Sequence, residues 1–385
     1  MNKIPYAKQH ITDEDIQAVT DVLKSILLTQ GPKIPEFETA FAEYIGCKYA
    51  VAVSNGTAAL HLCAIALNTN PGDKIITTSN TFAATANCVR YSGGEVVFAD
   101  IDPETYLLDI NKVKELLYVS PKGTYKGIIP VDFGGRPVNL EEFRNLADEF
   151  GLWIIEDACH APGGYFIDIN GQKQNCGNGN YADLAIFSFH PVKHITSGEG
   201  GMITTNNEKL YHKLRMLRTH GIQQIPELRQ YNHGLWYYEQ QELGFNYRLT
   251  DFQAALGISQ LKRANASLLR RKEIAAVYEK AFAGNPDIIR QPGVIGGHAY
   301  HLYVMEFHHR KELYENLRKK NIWAQVHYIP LHFMPYYRQF GWKENDLPNT
   351  ESYYKHCLSL PMYPTLTNEE QEYVIESILE LIKKQ

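Results

Sequence analysis

No stretch of this 385-residue chain approaches the roughly 18 consecutive apolar residues that a membrane-spanning helix requires. Met1 to Gln17 carry acids and a histidine but no apolar segment of the kind a secretory leader has. There is no C-x-x-C pair; the six cysteines, Cys47, Cys63, Cys88, Cys159, Cys176 and Cys357, are scattered. That pattern argues against a disulfide framework and for reduced thiols in a cytoplasmic protein. Neither sign of charge dominates. A net charge of −5 and a pI near 6.3 disfavour bulk binding of nucleic acid or a membrane surface, while leaving room for a local positive patch around a small anion. Internal repeats and low-complexity segments are also missing.

What is present has the balance of a soluble globular protein, long enough for two domains and for a core that needs neither disulfide nor metal to fold. Thr12 with Asp15 three residues on reads as a capping box ahead of a helix carrying Ile16, Val19, Val22 and Leu23. Thr29-Gln30-Gly31-Pro32 breaks it, and a second helix is expected from around Pro35. Short apolar runs then recur at 49–53, 74–77, 95–99, 127–131, 152–155, 184–187 and 202–204, with helical patterns such as 57–67 and 140–150 between them. This alternation predicts an α/β fold with a largely parallel sheet. Asn170-Gly171 predicts an inserted hairpin. One long helix is expected over 251–282 behind Thr250 as N-cap, followed by a strand at 302–307 and helices at 311–320 and 368–383. The expected division is a large domain over 1–250 and a smaller C-terminal α/β domain over 251–385.

Four local features carry possible chemistry. Ser54-Asn55-Gly56-Thr57 joins a strand to a helix, and suits either a phosphate held on free N–H groups or an ordinary helix cap. Leu152-Trp153-Ile154-Ile155-Glu156-Asp157 ends a buried strand in an acid, where open α/β sheets collect ligands. A carboxylate there either keeps a heterocyclic nitrogen protonated or caps a helix, and this segment alone does not choose. Phe187-Ser188-Phe189-His190-Pro191-Val192-Lys193-His194 runs into the glycine-rich 196–201. A lysine desolvated there has a lowered pKa and a nucleophilic amine, although a lysine taken alone is more commonly a solvated surface residue. Phe82, after Asn80-Thr81, is placed either to stack on a planar ring or to join the core.

Taken in order, residues 54–60, 156–161, 188–201 and 243–251 resemble the DegT/DnrJ/EryC1/StrS family of sugar aminotransferases, and the similarity runs over essentially the whole chain. The resemblance implies an aspartate-aminotransferase (type I PLP) fold, pyridoxal 5'-phosphate as cofactor, and a homodimer with shared active sites. It implies that Lys193 carries the cofactor as a Schiff base and shuttles a proton, that Asp157 pairs with the pyridine nitrogen, and that Phe82 stacks on the ring. His160, at a position held by glutamine in many relatives, is implied to contact the ring hydroxyl. Gly56, Thr57 and Ser188 are implied to hold the phosphate, with Asn246 of the partner subunit. Residues 189–195, 236–241 and 326–332 are most similar to the pseudaminic-acid branch of the family. That branch aminates C4 of a UDP-linked 4-keto-6-deoxy-hexosamine derivative, with glutamate as donor. On that likeness Tyr6, Gln30, Arg248 and His327 are the substrate contacts. The Arg248 guanidinium suits a diphosphate or a carboxylate, and equally an interface ion pair.

Other readings are weaker. Gly177-x-Gly179-x-x-Ala182 precedes a strand instead of joining strand to helix, the wrong place for a dinucleotide fingerprint. His190 and His194 are separated by Pro191, His308-His309 have no matching carboxylate or cysteine spacing, and no metal is expected. Cys159 is read as a small buried side chain. Family members that dehydrate or deoxygenate sugars carry histidine in place of the lysine, so Lys193 argues for transamination. The remaining alternatives are a different nucleotide-linked 3- or 4-keto sugar on a GDP or dTDP carrier, and a silent PLP-binding regulatory protein.

Overall fold

The seven short apolar runs become the seven strands of one sheet. In the computed structural model, which describes residues 3–223 and 225–383, they are Tyr49–Val53 (β1), Lys74–Thr78 (β2), Glu95–Ala99 (β3), Tyr125–Ile129 (β4), Trp153–Asp157 (β5), Leu184–Ser188 (β6) and Gly201–Thr205 (β7). Their order across the sheet is β1-β7-β6-β5-β4-β2-β3. β2 to β6 run parallel to one another, and β7 is antiparallel to both β1 and β6. Ile75, Ile128, Ile154, Ile155 and Ile186 are fully enclosed, as expected for strands covered on both faces. The fourth strand begins two residues before the predicted run. Gly127 sits in it because the Trp153 ring occupies its side-chain space; a Cβ there would meet the ring at 2.2 Å.

Helices cover the sheet, among them Asp13–Leu23 (α1), Lys33–Ile45 (α2), Gly56–Ala66 (α3) and Ala83–Tyr91 (α4). The predicted hairpin forms between Tyr165–Ile167 and Lys173–Asn175, with Gly171 at φ +75° in its turn. A three-stranded antiparallel sheet, Ile288–Arg290, Tyr303–Phe307 and Cys357–Leu360, lies in the C-terminal part with its own apolar cluster around Tyr278, Met305 and Ile378.

The single helix expected over 251–282 is instead two, Asp251–Leu261 and Ala264–Phe282. Arg263 breaks the run at φ −105°, ψ 2°. There its guanidinium reaches Asp15 Oδ2 at 2.8 Å and the His10 carbonyl at 3.2 Å, and Gln260 Nε2 donates to the same Asp15 oxygen at 2.8 Å. Asp15 is fully buried, so pairing its charge compensates a local loss of helix. The first of the two helices packs on α1 and α2, and the second contributes Ile274, Tyr278 and Phe282 to the C-terminal cluster. The chain start also crosses over: Ile4–Pro5 pairs in parallel with Ile322–Trp323, bringing Tyr6 to the far segment, where its ring lies 5.0 Å from that of His327.

Candidate active site

Strands β1, β2, β4, β5 and β6 all end on one side of the sheet, and the loops leaving them surround a cavity of about 760 Å³. This is where parallel α/β sheets place ligands, because strand ends and helix starts present unpaired backbone groups together. Nine of the twelve side chains singled out in the sequence line this cavity: Tyr6, Gly56, Thr57, Phe82, Asp157, His160, Ser188, Lys193 and His327.

At one end stands the start of α3. Asn55 is its N-cap and its side chain accepts from Ala58 N at 2.8 Å, which leaves the N–H groups of Gly56 and Thr57 as those the helix cannot pair itself. A Cβ on Gly56 would press on Ser188 at 3.1 Å, and one on Gly201 would strike the Asn55 carbonyl at 2.6 Å. Glycine at both positions therefore lets β6, β7 and the helix start close into a small cradle suited to a phosphate. Phe82, N-cap of α4, is 60% exposed, with its ring 6.2 Å from that of Tyr328 across the cavity. A phenyl ring so open on a cavity wall is free to meet a flat ligand.

Asp157 closes the floor. Thr85 Oγ1 donates to its Oδ2 at 2.7 Å, Cys159 N donates to Oδ1 at 3.2 Å, and Thr81 Oγ1 lies 2.8 Å from Thr85 Oγ1. His160 beside it is buried; its Nδ1 accepts from Gly134 N at 3.2 Å, which puts its proton on Nε2, 3.3 Å from the Tyr328 hydroxyl. Burial, and then the nearby Lys193, hold His160 well below the usual histidine pKa.

Lys193 sits in the loop after β6, half-buried, with Nζ 3.4 Å from His301 Nε2. Burial lowers its pKa, while Cys159 and Asp157 pull the other way. Among the described residues it is the one lysine or arginine lining the cavity. Burial, with Lys193 second, takes His327 down to about 3; its Nδ1 is 2.8 Å from Ser359 Oγ. The ingredients fit a pyridine ring bearing an aldehyde and a phosphate: a desolvated amine, a fixed carboxylate, an open aromatic face and a helix-start cradle.

Gln30, Asn246 and Arg248 do not line the cavity. In this segment Asn246 bridges Thr219, and Tyr247 O accepts from Ser54 N at 2.8 Å. Tyr247 lines the cavity, while its neighbours Asn246 and Arg248 do not. Gln30 lies beside them, because Thr29 bridges Thr250 and Gly31 N donates to Asp251 at 2.8 Å. Sequence reasoning missed Thr85, Tyr247, His301 and Tyr328. Tyr247 and Tyr328 lay inside recognised motifs, next to residues that were chosen. Thr85 and His301 lie outside those motifs. Among the described residues one group of metal-type donors lies close together, Asp132, Glu156 and Cys176, all buried. Asp132 Oδ2 and Glu156 Oε1 have no hydrogen-bond partner there, and a proton held between the two carboxyls accounts for both.

The sequence model described as the DegT/DnrJ/EryC1/StrS aminotransferase family matches residues 9–379. The chain is 41% identical to the spore coat polysaccharide biosynthesis protein SpsC of Bacillus subtilis, over 99% of this chain and 97% of that one. It is 39% identical to a UDP-4-amino-4,6-dideoxy-N-acetyl-beta-L-altrosamine transaminase of Campylobacter jejuni, over 99% of each. Its structure matches that of Helicobacter pylori PseC, an aminotransferase of pseudaminic acid biosynthesis, with a TM-score of 0.89, 31% identity and complete coverage of both chains.

Proposed function

Because the chain belongs to the DegT/DnrJ/EryC1/StrS aminotransferase family, and is thus a PLP-dependent sugar aminotransferase of the type I fold, we propose that it aminates C4 of a UDP-linked 4-keto-6-deoxy-hexosamine derivative. Glutamate is the proposed donor and pseudaminic acid biosynthesis the proposed setting. The observation that carries this substrate is the end-to-end likeness to the Campylobacter transaminase and to Helicobacter PseC. The Bacillus relative, named for a spore coat polysaccharide, supports a second reading in which the sugar or its nucleotide carrier differs.

Pyridoxal phosphate, when bound, supplies an electron sink that stabilises negative charge on the carbon losing a proton. The chain's own residues do the rest. The unpaired N–H groups of Gly56 and Thr57, with the Ser188 hydroxyl, would hold the phosphate. Asp157, held in orientation by Thr85 Oγ1 and Cys159 N, would face the ring nitrogen and keep it protonated. Phe82 would cover one ring face, and His160 would donate from Nε2 toward the ring hydroxyl. Lys193, favoured as the free base by its desolvation, would take a proton from carbon on one side of the transfer and return it on the other. Tyr6 and His327 would meet the sugar at the cavity mouth.

Asn246, Gln30 and Arg248 lie on neighbouring segments and do not line the cavity of their own chain. That placement supports a homodimer in which each subunit lends them to the other's site. Among the described residues no helix is long and apolar enough to cross a membrane, and all six cysteines are free, which supports the cytoplasmic reading.

The deciding test is turnover with matched substrates: 2-oxoglutarate released from glutamate with UDP-, dTDP- and GDP-linked 4-keto sugars. Preference for the UDP-linked 4-keto-6-deoxy-hexosamine supports the proposal, preference for another carrier or a 3-keto sugar moves it to the second reading, and a PLP-bound protein inert with all of them removes it.

A further inference from the structure

Lys193 has a second close neighbour that the roles above leave unused. His301, 2% exposed, precedes the central strand of the small sheet, and its Nε2 lies 3.4 Å from Lys193 Nζ. Its other ring nitrogen, Nδ1, is buried without a hydrogen-bond partner. An orphaned N–H is rarer and costlier in a protein interior than an orphaned lone pair. The imidazole proton therefore belongs on Nε2, pointing at the lysine. An amine can accept that proton's hydrogen bond only with its lone pair free.

The surroundings keep His301 neutral. The His160 ring lies against it at a tilt of 36° with centroids 4.4 Å apart, His194 lies edge-on at 5.7 Å, and Lys193 Nζ lies 3.4 Å from its Nε2. Beneath it, the buried Arg271 Nη1 donates to the carbonyls of Tyr300 and His301, both at 3.3 Å, and to Met362 O at 2.9 Å. Every one of these neighbours is a cation when protonated, so none favours charge on the ring. Burial first, then Lys193, His160, His194 and Arg271, holds its pKa well below the usual value. Around the lysine, Asp157 and Cys159 are the groups that pull toward the ammonium form. The Arg271 contacts also fix the backbone that carries the ring.

We propose that His301 is a positioning residue for Lys193, donating from Nε2–H to Nζ and so holding the amine in place as the free base whenever it is not covalently engaged. This rests on the reading of Lys193 as the reacting lysine. The free base is the form that adds to a carbonyl and that removes a proton from carbon, so His301 makes the lysine available between chemical steps.

The test is the titration of Lys193 itself. Cofactor-free, full-length protein is reductively methylated with formaldehyde and cyanoborohydride across the neutral to alkaline range, and the label on each lysine is read by mass spectrometry. His301→Leu keeps the site dry but removes the donor; its Lys193 midpoint is expected to rise by about one pH unit, roughly a tenfold loss of free base at neutral pH. His301→Gln, which can present an N–H on the same side, is expected to regain at least half of that shift. If the leucine variant does not fold, His301→Asn, too short to reach Nζ, takes its place with the same expectation. An unchanged or lowered midpoint overturns the proposal, because it means that His301 accepts from an ammonium or makes no contact that matters. A glutamine variant indistinguishable from leucine overturns it as well. Borohydride reduction of the PLP-loaded wild type separates this from the underlying reading. A tag on another lysine removes Lys193 from the chemistry, whereas a tag on Lys193 with an unmoved midpoint removes only the role of His301.

Discussion

Thr85 Oγ1 donates a 2.7 Å hydrogen bond to Asp157 Oδ2, joining the first turn of α4 to the end of β5 across 72 residues of sequence. In its proposed role against a ring nitrogen Asp157 needs a fixed orientation, and this bond, with that from Cys159 N, occupies one lone pair on each oxygen. Removing the donor leaves a buried charged group short of one partner. Thr85→Val, nearly the same shape, is therefore expected to weaken PLP binding about tenfold, the equivalent of one charge-assisted hydrogen bond. Thr85→Ser should restore it. Titration of the cofactor-free protein by absorbance checks this, and equal affinity in the valine variant would show that Asp157 is held without Thr85.

Much of this site was legible because its chemistry sits where strands end. Asp157, Lys193, Phe82 and the Gly56-Thr57 pair each follow a recognisable apolar run, and a parallel sheet brings such ends together whatever the loops do. Thr85, His301 and Tyr6 were not legible in that way. Thr85 matters through an acid two strands away, and His301 through a loop that the buried Arg271 pins. Tyr6 arrives because the chain start pairs with Ile322–Trp323, although the likeness to relatives had singled it out. The broken helix at Arg263 has the same cause: apolar periodicity runs on through 251–282, and only the buried Asp15, far off in sequence, explains the break.

That Asp15–Arg263 pair carries its own prediction. Burial alone raises the pKa of Asp15, but the guanidinium of Arg263, Ser259 and the Thr12 N–H outweigh it and hold the carboxyl below its ordinary value. A depressed carboxyl contributes stability that is present above its unfolded pKa and lost as pH falls through its folded one. Arg263→Ala leaves the buried carboxylate without its cation, with Gln260, Ser259 and Thr12 N as the remaining donors. Because Arg263 is partly exposed, the expected cost is about 2 kcal/mol near neutral pH, below the range for a fully buried pair. The loss should shrink toward acid pH. Urea unfolding at several pH values measures it, and a cost independent of pH would point to lost packing instead.

The buried Asp132–Glu156 pair makes the opposite prediction. Val138 N donates to Asp132 Oδ1 at 2.8 Å and Gly177 N to Glu156 Oε2 at 2.9 Å, while the two remaining oxygens have no other partner. Burial, and for Glu156 the charge of Asp132 next, raise both pKa values. Groups raised in the folded state stabilise fully below the unfolded carboxylate pKa, and that contribution is lost as pH climbs through the folded values. Glu156→Gln keeps an acceptor for Gly177 N and offers Asp132 a permanent N–H. The variant should lose less stability than wild type between mildly acidic and alkaline pH, and should equal or exceed it at the alkaline end. Parallel slopes of unfolding midpoint against pH in the two proteins would rule out a shared proton.

The last prediction concerns the residues that do not line their own cavity. Asn246 is exposed, and its backbone is anchored by a bridge to Thr219, so changing its side chain should leave the fold intact. If Asn246 completes the phosphate cradle of the partner subunit, Asn246→Asp sets a negative charge against that phosphate and should abolish PLP retention and activity. Lys193→Ala should be inactive for a separate reason, having lost the amine. The two defects then reside in different halves of each shared site. Mixing the inactive variants and allowing subunits to exchange gives half heterodimers. In each of these, one site pairs the intact Lys193 of one chain with the intact Asn246 of the other, and the second site carries both defects. Activity should return to about a quarter of the wild-type level, the fraction expected for random exchange between two-fold dimers. If Asn246 served the cavity of its own chain, every site in the mixture would keep one defect and no activity would appear. The mixing experiment thus decides between a shared and a self-contained site without any structure of the complex.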